Sequence, residues 1–567
     1  MKNYTQKSII LLTVLLLFNC KTIELSKEKA GHLQPNGMVV SACPHASQIG
    51  KEILLNGGNA IDAAVAVQLA LAVSYPRAGN IGGGGFAVIR MADGTKKSLD
   101  FREKASRHAH KDLYLDSRGN VIDGLSLEGH LASGVPGTVD GMVTLHEWGG
   151  NLQWQQVVQP AIDLAINGFR ISELQAHTFN RFLDDFIRVN RHAVHLSEKD
   201  HWEEGDSVKF PQLALTLKRI RDHKRAGFYK GKTAQLIVQE MESGRGLIDY
   251  TDLDNYHSKW RAPLQAKYKD YNIISMPPPS SGGIALIQML KGLESYNISR
   301  MEHNSTDYVH LLTEVEKRAY ADRATFLGDP DYAPVPVDML VSDDYLSRRM
   351  GDISLDTPTP SSEIKEGNVE IIESVETTHF SIVDSEGNAI AITTTINSYF
   401  GSKVWVDGAG FFMNNEMDDF SAKPGVPNQF GLVGNEINSI QPEKRMLSSM
   451  TPTILEKNGD LYMVVGTPGG STIITSVLQT ILNTTEFGMT MKEAVDARRF
   501  HHQWLPDVII SEDNSFSDEV KKELLERGFA IQERGNIGMV DAILIWPNQF
   551  REGAADDQRG DNSANGY

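Results

Sequence analysis

Thr377-Thr378-His379 heads a run of alternating apolar residues and follows an acidic, Pro/Ser-rich stretch over residues 353–375. A threonine hydroxyl is a weak nucleophile until a base stands beside it. Cutting the chain in front of the residue exposes an α-amine, which ordinarily titrates at about 7.7–8.0 and is carried by that same residue. One residue then supplies nucleophile and base. The plainer alternative is β-propensity, since Thr-Thr at a strand start needs no chemistry. Gly466-Thr467-Pro468-Gly469-Gly470-Ser471 is a second candidate. Alternating residues give way there to helical spacing over 472–482, so free backbone N–H groups at the junction can meet an anion. Neither a Gly-x-Ser-x-Gly elbow nor a His-Glu-x-x-His pair occurs, and His146-Glu147 lacks the second histidine. Residues 227–233 miss the P-loop spacing by one residue and read as a turn, while the glycines of 79–86 precede a strand and so are no dinucleotide fingerprint. His501 and His502 are adjacent, point in different directions and read as buried structural histidines; no metal site is expected.

The elements that position these residues are legible. Phe380 and Ile382, then Ile390, Ile392 and Thr394, alternate on either side of Asp384-Ser385-Glu386-Gly387-Asn388, which predicts a hairpin centred on Glu386. Residue 377 then lies opposite residue 395, and Thr377, Thr395 and Asn397 meet at one end. A second hairpin, Thr453 to Leu455 with Leu461 to Val465, turns at Asn458-Gly459 and feeds the glycine junction. Helical spacing over 45–55 and 60–73, with Asn59 as cap, predicts two packed helices. Met276 to Gly283 reads as a rigid loop ahead of a helix over 284–293.

Composition narrows the partners. The 567 residues are 41% hydrophobic and 23% charged, which excludes collagen, coiled coil and wholesale disorder. A net charge of −18 repels phosphate backbones, so no nucleic-acid partner is expected, and an anionic substrate needs a local cation. Cys20 and Cys43, the only cysteines, lack the spacing for zinc or redox work. Lys2 and Lys7 precede an apolar run from Ile9 to Phe18, an export signal too short to span a membrane stably. Leu17-Phe18-Asn19-Cys20 looks like a bacterial lipoprotein signal, residues 1–20, with Cys20 acylated and residues 21–36 as a tether. An ordinary cleaved signal is the alternative. The expected location is the periplasm, with membrane contact only through that anchor; Cys43 is then unpaired.

Thr377 to Ser381, Asn414-Asn415-Glu416-Met417-Asp418-Asp419-Phe420-Ser421, Leu447-Ser448-Ser449-Met450-Thr451-Pro452-Thr453 and Gly466 to Ser471 occur in an order that resembles bacterial γ-glutamyltranspeptidase. The resemblance continues through Gly57 to Ala64, Gly82 to Phe86, Asp100-Phe101-Arg102-Glu103 and Met276 to Gly283, and ends at Gly566-Tyr567. It implies an α+β fold, a four-layer αββα sandwich of the N-terminal-nucleophile hydrolase type. One precursor cuts itself between Glu376 and Thr377 into a large subunit, 37–376, and a small catalytic subunit, 377–567, which form one unit. The implied activity is γ-glutamyl transfer and glutathione hydrolysis, with no cofactor and no metal. Thr377 attacks the γ-amide of glutathione or another γ-glutamyl compound, and water or an acceptor amino acid or peptide resolves the acyl-enzyme.

By the same resemblance, Gly469 and Gly470 offer N–H groups to the oxyanion and Thr395 supports Thr377. Arg102, Ser448 and Ser449 take the glutamyl α-carboxylate, and Asn397, Glu416 and Asp419 its α-amino group. Without the motif, Arg102 reads as a surface partner of Asp100 or Glu103. Residues 424–438 resemble the lid loop of bacterial members, but Phe430 stands where those lids commonly carry a tyrosine, so the hydroxyl latch cannot form. Asp557-Gln558-Arg559 departs from the usual Asp-Pro-Arg spelling. Two rival readings are an acylase of the same fold acting on cephalosporin or glutaryl side chains, opposed by Arg102 and the lid, and a catalytically dead, lipid-anchored binding protein.

Overall fold

Alternation along the strands builds four layers. In the hairpin Thr378–Val383 and Ala389–Thr395, Phe380, Ile382, Ile390 and Ile392 enter one apolar core, whereas Val383, Ala389 and Ala391 enter another, as a two-residue period requires. The first core is closed by the helices Pro44–Leu55, Ala60–Ser74, Thr138–Gly149 and Trp154–Asn167. The second lies between two sheets, because Ile274, Ile454, Val464 and Ile543 reach it from the opposite side. Their strand neighbours Ile273, Leu455, Met463, Val465, Ala542 and Leu544 turn outward into a third core, covered by the helices Gly282–Leu293, Thr306–Phe326 and Ile473–Thr485. This is the expected αββα order.

The computed structural model describes residues 27–364 and 377–567. Cys20 and Glu376 lie outside the described residues, as does the whole of the expected signal. Among the described residues, each large sheet has seven antiparallel strands. One runs in the order Ser563–Gly566, Met38–Ser41, Thr378–Val383, Ala389–Thr395, Gly84–Arg90, Lys96–Asp100 and Lys259–Arg261. The other runs His32–Gln34, Arg551–Ala555, Asp541–Ile545, Asp460–Gly466, Thr453–Lys457, Tyr271–Ser275 and Leu264–Tyr268. Each sheet therefore combines strands from before residue 364 with strands from after residue 377. The strand that starts at Thr378 is held between Met38–Ser41 and its own hairpin partner.

Several local expectations hold in detail. Thr378 pairs with Thr394 and Val383 with Ala389, which centres the hairpin on Glu386. Asn59 caps its helix, and the Asp62 carboxylate accepts the Asn59 N–H in return at 3.0 Å, a reciprocal box. Cys43 is free and buried, and burial raises its thiol.

Three expectations need correction. Residues 32–34 of the expected tether are a paired strand, because His32–Gln34 pairs with Arg551–Ala555; a sheet edge offers unpaired backbone groups that an extended segment can fill. Residues 227–233 are not a simple turn but the junction of the helices Ala226–Tyr229 and Gly231–Gly244, with Gly231 at φ +61°. The helix after the glycine junction continues beyond Leu482 to Thr485, with the Thr484 and Thr485 hydroxyls donating to the Ile481 carbonyl. Among the described residues, no helix is long and apolar enough to cross a membrane.

Candidate active site

Thr377 stands at the open end of the hairpin, 6% exposed, and lines a cleft with roughly 300 Å³ of empty space. Thr395, Asn397, Arg102, Glu416, Asp419, Ser448, Ser449, Gly470 and Phe430 line the same cleft. Residues from seven separate segments thus converge where the hairpin register puts Thr377 and Thr395 face to face. The Thr395 hydroxyl accepts the Asn397 N–H at 2.7 Å, and its carbonyl accepts the Asn80 side-chain amide at 3.0 Å. Close approach explains part of the Gly-rich turn over 82–85: a Cβ on Gly83 would lie 2.0 Å from the Thr395 carbonyl oxygen. His379 is not available as a base. Its ring nitrogens bond the Thr393 and Ser381 hydroxyls, and burial pulls its pKa down to about 3, so it stays neutral.

The glycine junction has the backbone that an oxyanion site needs. Gly469 and Gly470 have φ +143° and +55°, values that side chains disfavour, and the turn leads into Ile473–Thr485. None of the hydrogen bonds among the described residues uses the N–H of Gly469 or Gly470. Gly469 itself does not line the cleft, while Gly470 does. Donors fixed in this way stabilise developing negative charge without reorganising.

Charge is concentrated on the facing wall. The fully buried Arg102 guanidinium meets Glu416 at 2.8 Å, Glu103 at 3.5 Å and Asp419 at close range. Burial works against its charge, but Glu416, Asp419 and Glu103 outweigh it and raise its pKa. The acids respond in the opposite sense. Burial raises Glu416 and Asp419 against the pull of Arg102, and raises Glu103 to about 8. Three carboxyls around one guanidinium cannot all ionise in a dry site, so the cluster keeps a proton at neutral pH. Of the two partners in the alternative reading of Arg102, Glu103 does pair with it, in a buried site, whereas the Asp100 carboxylate accepts the Arg102 backbone N–H at 3.0 Å and pairs with Arg261 and Arg445.

Beside this cluster, the Asn397 side-chain amide donates to the Asn415 carbonyl at 3.0 Å, which leaves its Oδ1 as an acceptor. The Ser448 hydroxyl oxygen accepts the Met450 N–H at 3.1 Å, and that of Ser449 accepts Arg323 Nη2 at 3.2 Å. Each serine oxygen is thus engaged as an acceptor, so its O–H proton is left to donate.

The segment over 424–438 covers the cleft without a tyrosine. The Phe430 ring packs over Gly470, where a Cβ would stand 2.6 Å from it. Other bonds fasten the segment: Ser398 Oγ donates to Gln429 Oε1 at 2.8 Å, the Gln429 N–H to Asp418 at 3.0 Å, Asn428 Nδ2 to Asp419 at 3.2 Å, and Gln503 Nε2 to the Phe430 carbonyl at 3.1 Å. His501 contacts Gln503 at 2.9 Å and the Thr475 hydroxyl at 2.9 Å, and burial lowers both His501 and His502, which fits the structural reading of that pair.

Arg323 and Glu103 also belong to the site although sequence reasoning did not assign them there. Arg323 lies on Thr306–Phe326, a helix whose buried residues include Glu314, Glu316, Lys317, Arg318 and Asp322. Such a helix has no polar face that would single out one arginine, so no pattern in the sequence marks it.

The family model described as gamma-glutamyltranspeptidase matches residues 46–567. The chain is 43% identical over 533 residues to a glutathione hydrolase proenzyme of Escherichia coli, covering 94% of this chain and 92% of that one. A solved γ-glutamyltranspeptidase from Helicobacter pylori is 44% identical with a TM-score of 0.56, covering 59% of this chain and 96% of its own. A cephalosporin acylase from Bacillus halodurans superposes with a TM-score of 0.83 over 97% of this chain and 99% of its own at 24% identity, a likeness of fold.

Proposed function

This chain belongs to the γ-glutamyltranspeptidase family, and from that premise we propose that it cuts itself before Thr377 and then hydrolyses or transfers the γ-glutamyl group of glutathione and related compounds. The observation that carries the reading is the convergence, in one cleft, of Thr377 with Gly470 and with a wall offering both carboxyls and serine hydroxyls. In self-cleavage the Thr377 hydroxyl attacks the Glu376 carbonyl, the bond to the Thr377 nitrogen breaks, and water hydrolyses the ester to release a carboxylate and a free α-amine. In turnover that amine takes the hydroxyl proton as Thr377 Oγ attacks the γ-carbonyl. The N–H groups of Gly469 and Gly470 hold the oxyanion, and the proton passes to the departing amine. Water or the amine of an amino acid or peptide then attacks the acyl-enzyme.

The wall matches both ends of a glutamyl group. An α-ammonium suits Glu416, Asp419 and Asn397 Oδ1, and an α-carboxylate suits the Ser448 and Ser449 hydroxyls with Arg102. A glutaryl side chain has no amine, so the acid cluster would oppose it; this favours γ-glutamyl substrates over the acylase alternative. The test is a denaturing gel of purified protein with a γ-glutamyl anilide assay. Two polypeptides meeting at 376/377 and release of the aniline are expected, and one persistent band without activity would overturn the reading.

Phe430→Tyr is expected to raise the share of transfer over hydrolysis, because an added hydroxyl bond at the lid excludes water from the acyl-enzyme. Product ratios at fixed acceptor concentration check this, and an unchanged ratio removes the latch argument. We also place the protein in the periplasm with Cys20 acylated, on the strength of the N-terminal pattern. Cys20→Ala is expected to move it from the membrane to the soluble fraction of cells; a wild-type protein already soluble contradicts the anchor.

A further inference from the structure

The two arginines in the cleft are not equivalent. Arg102 has three carboxyl neighbours within 4 Å. Arg323, 5% exposed, has no carboxylate within ion-pair range among the described residues and bonds only hydroxyls: Nε donates to Ser281 Oγ at 3.0 Å and Nη2 to Ser449 Oγ at 3.2 Å. Ser281 in turn donates its N–H and hydroxyl to the Ser448 carbonyl, at 2.8 and 2.6 Å. One guanidinium therefore grips both serines from behind, Ser449 by its hydroxyl and Ser448 through Ser281. A buried guanidinium left without a counter-ion costs stability unless an anion completes it.

We propose that Arg323 is a positioning residue for the substrate's α-carboxylate: it turns the Ser449 hydroxyl proton toward the cleft, holds the Ser448–Ser449 pair in place and adds, behind those hydroxyls, a positive charge to that of Arg102. This selects substrates that carry a carboxylate beside the ammonium. Arg102 thus holds the acids that meet the ammonium as well as facing the anion, whereas Arg323 organises only the hydroxyls that meet the anion. It rests on the γ-glutamyl reading above, which wild-type cleavage of a γ-glutamyl anilide tests separately.

The experiment compares Arg323→Gln and Arg323→Lys with wild type on two substrates, γ-glutamyl anilide and the analogue whose α-carboxylate is replaced by a carboxamide. Wild type is expected to favour the carboxylate strongly in kcat/KM. In Arg323→Gln that preference falls by about 10- to 100-fold, through KM, with kcat for the carboxylate substrate within about threefold. Arg323→Lys, which keeps the charge but loses the planar fork, regains part of the preference. The 376/377 cut on a denaturing gel reports folding; if Arg323→Gln stays uncut, Arg323→Lys carries the test with a loss of at least about threefold in the preference. A third substrate, glutaryl anilide, lacks the amine, and discrimination against it stays as in wild type. Equal losses on the carboxylate and carboxamide substrates, or an unchanged preference, overturn the proposal. A wild type inactive on γ-glutamyl anilide would instead overturn the reading beneath it.

Discussion

Thr377→Ala is expected to yield one uncut polypeptide of full length and to lower γ-glutamyl anilide turnover by at least about 10⁴-fold, since nucleophile and base are lost together. The physical reason lies in the economy of the residue. On the proposed mechanism its hydroxyl makes the cut that creates its amine, and no other group on the strand can substitute: His379 is neutral, sealed and bonded to two hydroxyls. The fold should survive, because residue 377 precedes the paired strand and contributes no apolar surface to the three cores. Thr377→Ser is expected to retain the cut and part of the turnover. A Thr377→Ala protein found as two subunits would place the nucleophile elsewhere.

Arg102→Gln is expected to raise KM for γ-glutamyl substrates by about 100-fold, and its effect on pH dependence is the sharper test. In the wild type, burial holds Glu103 at about 8 and keeps Glu416 and Asp419 above the ordinary carboxyl range. The cluster therefore gains negative charge as pH rises from 6 to 8, and an α-ammonium binds better to it, so KM falls over that range. Removing the guanidinium takes away the one attraction that lowers all three pKa values, so the carboxyls hold their protons to higher pH. The fall in KM should then shift alkaline by about one unit or more. A KM against pH profile checks this; superimposable profiles would mean that the acids do not meet the substrate.

The hairpin around Glu386, the Asn59 cap and the glycine junction were legible because each is a local pattern, a two-residue or 3.6-residue period closed by a turn or a capping residue. The long motifs likewise carried the cleft residues from Arg102 to Ser449. Arg323 and Ser281 were opaque for the opposite reason. Their meaning comes from bonds to Ser449 and Ser448 far along the chain, and a hydroxyl or guanidinium advertises nothing about a partner so remote. The tether misled for a related reason: His32–Gln34 is polar in composition, and only the exposed edge at Arg551–Ala555 makes a strand of it.

The interleaving of strands from both sides of the cut has a kinetic consequence. Met38–Ser41 and Gly84–Arg90 flank the hairpin that Thr377 begins, so neither polypeptide owns a complete sheet. Before the cut, folding is a first-order event of one chain. Afterwards, any dissociated pair must find each other in solution, and recovery becomes second-order and dilution-sensitive. Thermal scans of the uncut Thr377→Ala chain should therefore be independent of protein concentration, whereas the mature enzyme, once opened, behaves as a heterodimer with no intramolecular route back. The peptide bond that is lost serves as scaffolding for assembly, and its removal makes the active molecule a product of its folding history.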